Sequence, residues 1–129
     1  MQFLVAIHLP DDFDPASESN AVRDDISALN EEMIAKGVRT FVGGLEPVQR
    51  ARTIRADRNG STMVTDGPFI EAREHVGGFW VLDCTDLEEA LDWGRKATIA
   101  CRAPVEVRAF NAVPTERLRA RAEAEARGK

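Results

Sequence analysis

Asp66, Glu71, Arg73, Glu74 and His75 crowd into one stretch, VTDGPFIEAREHVGGFW, running from Val64 to Trp80. Carboxylates beside an imidazole are the groups from which general acid–base catalysis is built. An Asp in a turn ordinarily accepts the backbone N–H two residues on. Here that residue is Pro68, which has no N–H to donate. The Asp66 carboxylate must therefore find the amide of Phe69 or a later residue, or another partner. Two readings follow: a carboxylate that pins a turn, or a carboxylate held at a cavity mouth as a base or ligand acceptor. Gly67 permits a backbone shape that a Cβ would obstruct, and Phe69 is placed to fold back as an apolar anchor. On an extended segment Glu71, Arg73 and His75 point to one side, which makes either a surface ion cluster or the polar wall of a site.

His8 is the second imidazole, on the Leu4–Ala6 face of an apolar run. Such a residue serves either as a satisfied core or interface histidine, or as a desolvated group suited to proton transfer. An approach of His8 to Asp66 makes an acid–base dyad. The candidate catalytic residues are thus Asp66, His8 and Glu71, and the candidate ligand contacts are Gly67, Pro68, Phe69, Arg73 and His75. Two histidines without metal spacing give no metal site, and no dinucleotide, P-loop, HExxH or GxSxG pattern points to a cofactor.

The elements that must position these groups are legible from periodicity. Phe3–Leu9 is a strand-length apolar run ended by Pro10 and Asp11-Asp12. Val22, Ile26, Leu29 and Met33 recur at helical spacing from Ser19 to Lys36, with Gly37 as a cap. Val38–Leu45 reads as a strand closing on Gly43-Gly44. Asn59-Gly60, between Thr53–Ala56 and Thr62–Thr65, signals a hairpin. Gly78–Asp83 is a further strand, and the Gly-Pro and Gly-Gly pairs before it read as one turn between sheet strands. Asp86 with Glu89 forms an acidic capping box for a helix carrying Leu87, Ala90, Leu91, Gly94 and Ala97. Val105 and Val107 alternate with Glu106 and Arg108 in a last strand. After Pro114 only Leu118 is large and apolar, so residues 114–129 are predicted to be a polar helix or tail beyond a domain of residues 1–113.

Two helices cover one face of the resulting sheet. The first and fifth strands are apolar on both faces, which leaves either Leu4, Ala6, Trp80 and Leu82 or their opposites facing water. An exposed apolar sheet face marks an interface, so a homodimer joined sheet face to sheet face is expected.

The chain has 129 residues, enough for one domain with a real core, and a net charge of −5. That balance disfavours nucleic acid and anionic membrane as partners. Phe79 and Trp80 have no basic strand beside them and read as core aromatics, not base-stacking platforms. Arg50, Arg52, Arg55 and Arg58 read as the wet side of the hairpin or as a groove for an anion. Cys84 and Cys101 are far apart in sequence and read as buried thiols. The N-terminal MQFLVAIHLP lacks a basic leader and no apolar run is long enough for a membrane span, so a cytoplasmic chain is expected.

These residues together resemble the YCII-related family, in particular its DGPF-domain branch. The resemblance is carried by Asp66-Gly-Pro-Phe69, Glu71, Arg73-Glu74 and Gly77-Gly78-Phe79, supported by Gly43-Gly44-Leu45, the Asp83-to-Trp93 junction and Val105–Arg108. It implies a ferredoxin-like βαββαβ α+β sandwich with an inserted hairpin, pairing into a dimeric α/β barrel. It further implies a cavity between sheet and helices that takes a small molecule, with acid–base chemistry through an aspartate that corresponds to Asp66. A second implication is a non-catalytic regulatory module associated with an extracytoplasmic-function sigma factor. The histidine that the resemblance places early in the first helix has no counterpart between Ser19 and Ile26, where Asp24 and Asp25 stand. Asp66 carries over; its partner does not.

Overall fold

The computed structural model describes residues 1–111, 121 and 123–128. Most of the predicted C-terminal segment lies outside the described residues. The chain forms β1 (Gln2–Pro10), α1 (Asn20–Ala35), β2 (Arg39–Gly44), β3 (Arg52–Ala56), β4 (Thr62–Asp66), β5 (Glu74–Asp83), α2 (Leu87–Cys101) and β6 (Val105–Ala109). Four strands make one antiparallel sheet in the order β2-β5-β1-β6, while among the described residues β3 and β4 pair only with each other. The architecture is α+β, consistent with the ferredoxin-like sandwich, with the hairpin inserted between β2 and β5. Among the described residues, no helix is long and apolar enough to cross a membrane.

Both helices begin where the sequence signals them. The Ser19 hydroxyl accepts the Val22 N–H at 3.2 Å, and Asp86 accepts the Glu89 N–H at 2.9 Å, each satisfying one amide that lacks an intrahelical acceptor. The reciprocal half of the expected capping box differs. Glu89 reaches past Asp86 to the N–H and hydroxyl of Thr85, at 2.8 and 2.7 Å. Those two hydrogen bonds lower the Glu89 carboxyl from its ordinary range, the Thr85 hydroxyl being the larger cause. At the end of α1, Val38 N–H bonds Met33 C=O and Gly37 N–H bonds Ile34 C=O, at 3.1 and 3.0 Å. That is a Schellman cap, and it buries Val38 beside the helix it closes.

The core lies between the sheet and the helices. Phe3, Val5, Trp80 and Leu82 meet Leu29 and Met33 of α1 and Ala90 and Ala97 of α2, all buried. Each large side chain so buried contributes roughly 1.5–3 kcal/mol. Trp80 and Leu82 therefore face the helices. Their neighbours Phe79 and Val81, with Leu4 and Ala6 of β1 and Phe41 of β2, occupy the opposite face by register. Phe41 remains 52% exposed there, with its ring centroid 5.7 Å from that of Phe79. Neither helix covers that face.

Candidate functional site

Strand β5 begins at Glu74, four residues before the expected start, and this decides the shape of the site. The Gly-Gly pair is not in a turn. It lies within β5, where Ile7 pairs with Gly78 and His8 with Val76, leaving Gly77 as the extra residue of a β-bulge. A Cβ on Gly77 would stand 2.2 Å from Leu9 Cδ1. Any side chain at this position requires Leu9 to move aside, which glycine does not.

At this bulged end, sheet and helices part around a hollow of about 320 Å³, inside the range of small-ligand sites. Its floor is Ile7, Gly78 and Trp80; Ile26 of α1 and Cys101 of α2 close one side, and the segment after β2, through Leu45 and Val48, closes another. The Trp80 indole N–H donates to Asn30 Oδ1 at 2.8 Å, and Arg39 Nη1 donates to the same oxygen at 3.2 Å. The Asn30 amide in turn donates to the Ile26 carbonyl at 3.0 Å. The indole N–H is thus tied to α1 beside the hollow, and no buried side-chain polar atom among the described residues lacks a partner.

Polar groups gather at the mouth: Asp11, Glu18, Glu46, Gln49 and His75. The Asp11 N–H donates to Arg73 C=O at 2.8 Å, and Gln49 Nε2 donates to Asp11 C=O at 2.7 Å. These two bonds tie the β1 end to the segments after β2 and before β5. His75 is half-buried, with Nε2 3.0 Å from the Ala72 carbonyl. Since a carbonyl only accepts, that nitrogen carries the proton, and the neutral ring has Nδ1 left as a base. A shallower hollow adjoins this mouth; it shares Asp11, Val48, Gln49 and His75 and adds Pro68, Glu71 and Arg73. Glu71, Arg73 and His75 therefore do meet, around a depression instead of along one strand face, because only His75 lies in β5. Among the described residues they form no ion pair with one another.

Asp66 has the partner that Pro68 denied it. It stands opposite Arg52 in the β3–β4 register, and Arg52 Nε donates to its carboxylate at 3.0 Å. The pair lies at the base of the hairpin, where the Asp66 side chain is 88% exposed, and Asp66 lines neither hollow of its own chain. Gly67 follows with φ +97°, its N–H bonded to Ala51 C=O at 2.8 Å and its carbonyl to Thr53 Oγ1 at 2.8 Å. The turn is pinned by backbone and Thr53, and the peptide to Pro68 is trans. Phe69 is exposed, with the Arg55 guanidinium 5.0 Å from its ring centre. His8, half-buried on β1, makes no hydrogen bond with Asp66 or Glu71 among the described residues; its backbone N–H bonds Pro104 C=O at 2.9 Å. Neither hollow includes it.

Both cysteines are free thiols. Cys101 lines the main hollow, and burial followed by the nearby Glu18 charge pushes its thiol up to about 11. Cys84 is pushed up to about 11 by burial and then by Glu89 and Asp83. Both are protonated at neutral pH and poor nucleophiles. Among the described residues, no group of three or more His, Cys, Asp or Glu side chains is arranged to hold a metal.

Sequence reasoning did not reach Asp11, Asn30, Glu46 or Gln49. The available signal was weak: Asn30 is a polar residue beside the apolar stripe of α1, and Asp11 is one of two acids after a strand-ending proline.

A family model of the YCII-related domain matches residues 1–110, which include both hollows and the Asp66–Phe69 turn. An uncharacterized protein of Rhizobium meliloti (strain 1021) is 40% identical over 78 residues, covering 60% of this chain and 62% of that protein. The chain thus spans under two-thirds of the length of the curated relative it matches. With the whole sandwich inside the matched residues, this chain belongs to the YCII-related domain family.

Proposed function

We propose that this protein binds a small, largely apolar molecule in the hollow between the sheet and the helices, and does so as a homodimer joined through the uncovered sheet face. The observation that carries the reading is the hollow itself. It is roomy, walled by Ile7, Ile26 and Trp80, and opens at a mouth where polar groups are fixed by backbone hydrogen bonds. Apolar walls with a few convergent polar groups are the usual make-up of a ligand site. His75, with Nδ1 available, is the group at the mouth best suited to take a proton from a bound molecule.

The hairpin that carries Asp66 enters this reading through the dimer. Asp66 sits on a hairpin that pairs with no strand of its own sheet, and Ile54, Met63 and Val64 on that arm are exposed. An isolated two-stranded hairpin is marginal in water, and a second copy supplies the cover.

The binding reading is tested with N-phenyl-1-naphthylamine, a neutral apolar reporter that brightens on leaving water. Its emission rises with the wild-type chain and does not with Ile26→Trp, which fills the hollow from α1. Equal brightening with both proteins overturns the assignment to this hollow.

A further inference from the structure

We infer that the hollow selects an apolar ligand bearing a cationic amine, and rejects one bearing a carboxylate or phosphate; this rests on the reading of the hollow as a small-molecule site. Among the described residues, the charged side chains that line it are Asp11, Glu18 and Glu46, with neither lysine nor arginine beside them. Glu18 and Glu46 have guanidinium partners, Arg23 and Arg50, at 3.9 and 3.7 Å. Both are long contacts to side chains more than half exposed, where water and salt screen them. Arg73 borders the neighbouring hollow and not this one.

Asp11 differs from the other two. Its backbone is held by hydrogen bonds on both N–H and C=O, while its carboxylate enters no hydrogen bond or ion pair among the described residues. An exposed carboxylate without a partner, carried on a backbone held beside an apolar wall, is an acceptor for an ammonium group. The Glu18 charge is felt inside: after burial it is the next cause that raises the Cys101 thiol, against a smaller lowering by Arg102. An anion entering here meets charges of its own sign next to low-dielectric walls, where the repulsion is stronger than in bulk water. An ammonium ion at the mouth, with its hydrocarbon body on Ile7, Ile26 and Trp80, meets none of that repulsion.

The experiment uses the full chain loaded with N-phenyl-1-naphthylamine and displaces it with octylamine, octanol and octanoate at pH 7. Octylammonium is expected to displace the reporter at a concentration at least about ten-fold below octanoate, the difference of one close charge contact, with octanol between. The gap narrows in Asp11→Asn/Glu18→Gln, while octanol displacement stays within two-fold, ~0.4 kcal/mol. Octanoate that matches or beats octylammonium overturns the ligand class while leaving the binding site standing. A gap unchanged in the double variant also overturns it, because the acids then do not cause the preference. A chain that takes up no reporter removes the binding reading, and the ligand class with it.

Discussion

Asn30 and Trp80 are joined by a 2.8 Å hydrogen bond from the indole N–H to the amide oxygen, linking α1 to the centre of the sheet beneath the hollow. Asn30 sits beside the apolar stripe of α1, where a leucine would fit the helical pattern. Replacing it by leucine leaves the Trp80 N–H and the Arg39 guanidinium without that acceptor. Asn30→Leu is expected to lower stability by about 1–3 kcal/mol, read from urea unfolding, while Asn30→Asp, which keeps the acceptor, loses less. Equal losses in the two variants would show that the acceptor is not what Asn30 supplies.

Gly77 and Leu9 give a second prediction. A methyl on Gly77 forces Leu9 out of its place, since Leu9 Cγ and Cδ1 lie 2.8 and 2.2 Å from the added carbon. Leu9 also lines the hollow, so its displacement narrows the space. Gly77→Ala is expected to weaken uptake of the naphthylamine reporter about five-fold or more, ~1 kcal/mol. Gly77→Ala/Leu9→Ala restores it, and a double variant as weak as the single one places the defect in the strand instead.

At the hairpin base the ranking matters more than the size. The Arg52–Asp66 pair is exposed, and such pairs contribute about 0–1 kcal/mol. Gly67 holds φ +97°, which a side chain resists at a cost of about 1–2 kcal/mol. Thermal unfolding should therefore show Gly67→Ala less stable than Asp66→Asn.

Monomers are expected from Phe41→Asp, because Phe41, on the edge strand β2, is exposed on the uncovered face beside Phe79. A charge buried there in a dimer lacks a partner and costs several kcal/mol. Sedimentation at micromolar concentration should show wild-type dimer and variant monomer. A wild-type monomer removes the homodimer.

The two thiols set an alkaline limit. Each folded thiol titrates near 11, above its ordinary value of 9.0. A group whose folded pKa is raised supports folding below its unfolded pKa, and that support is lost as pH climbs through the folded one. Stability should fall between about pH 9 and 11, by roughly 1–2 kcal/mol for the nearly inaccessible Cys84. The chain has no tyrosine to titrate in the same window. Urea unfolding against pH should show a shallower alkaline decline in Cys84→Ala than in wild type; parallel slopes exclude the thiol as the cause.

The strands, both helices, their caps and the hairpin were legible in the sequence because each rests on local spacing. Val22, Ile26, Leu29 and Met33 mark one stripe whatever they pack against, and Ser19, Asp86 and Asn59-Gly60 act on backbone within a few residues. The absent N–H at Pro68 was equally local, and it sent Asp66 elsewhere for a partner. Tertiary structure alone decided which partner. Arg52 comes opposite Asp66 only through the β3–β4 register, and the Gly-Gly pair became a bulge only when β1 and β5 paired. The hollow is a further step removed from local pattern. Its walls come from β1, β2, β5, α1 and α2, and the carboxylates at its mouth come from two connections, β1–α1 and β2–β3. Sequence spacing carries one segment's faces, whereas a cavity is the space that several segments, once packed, do not fill.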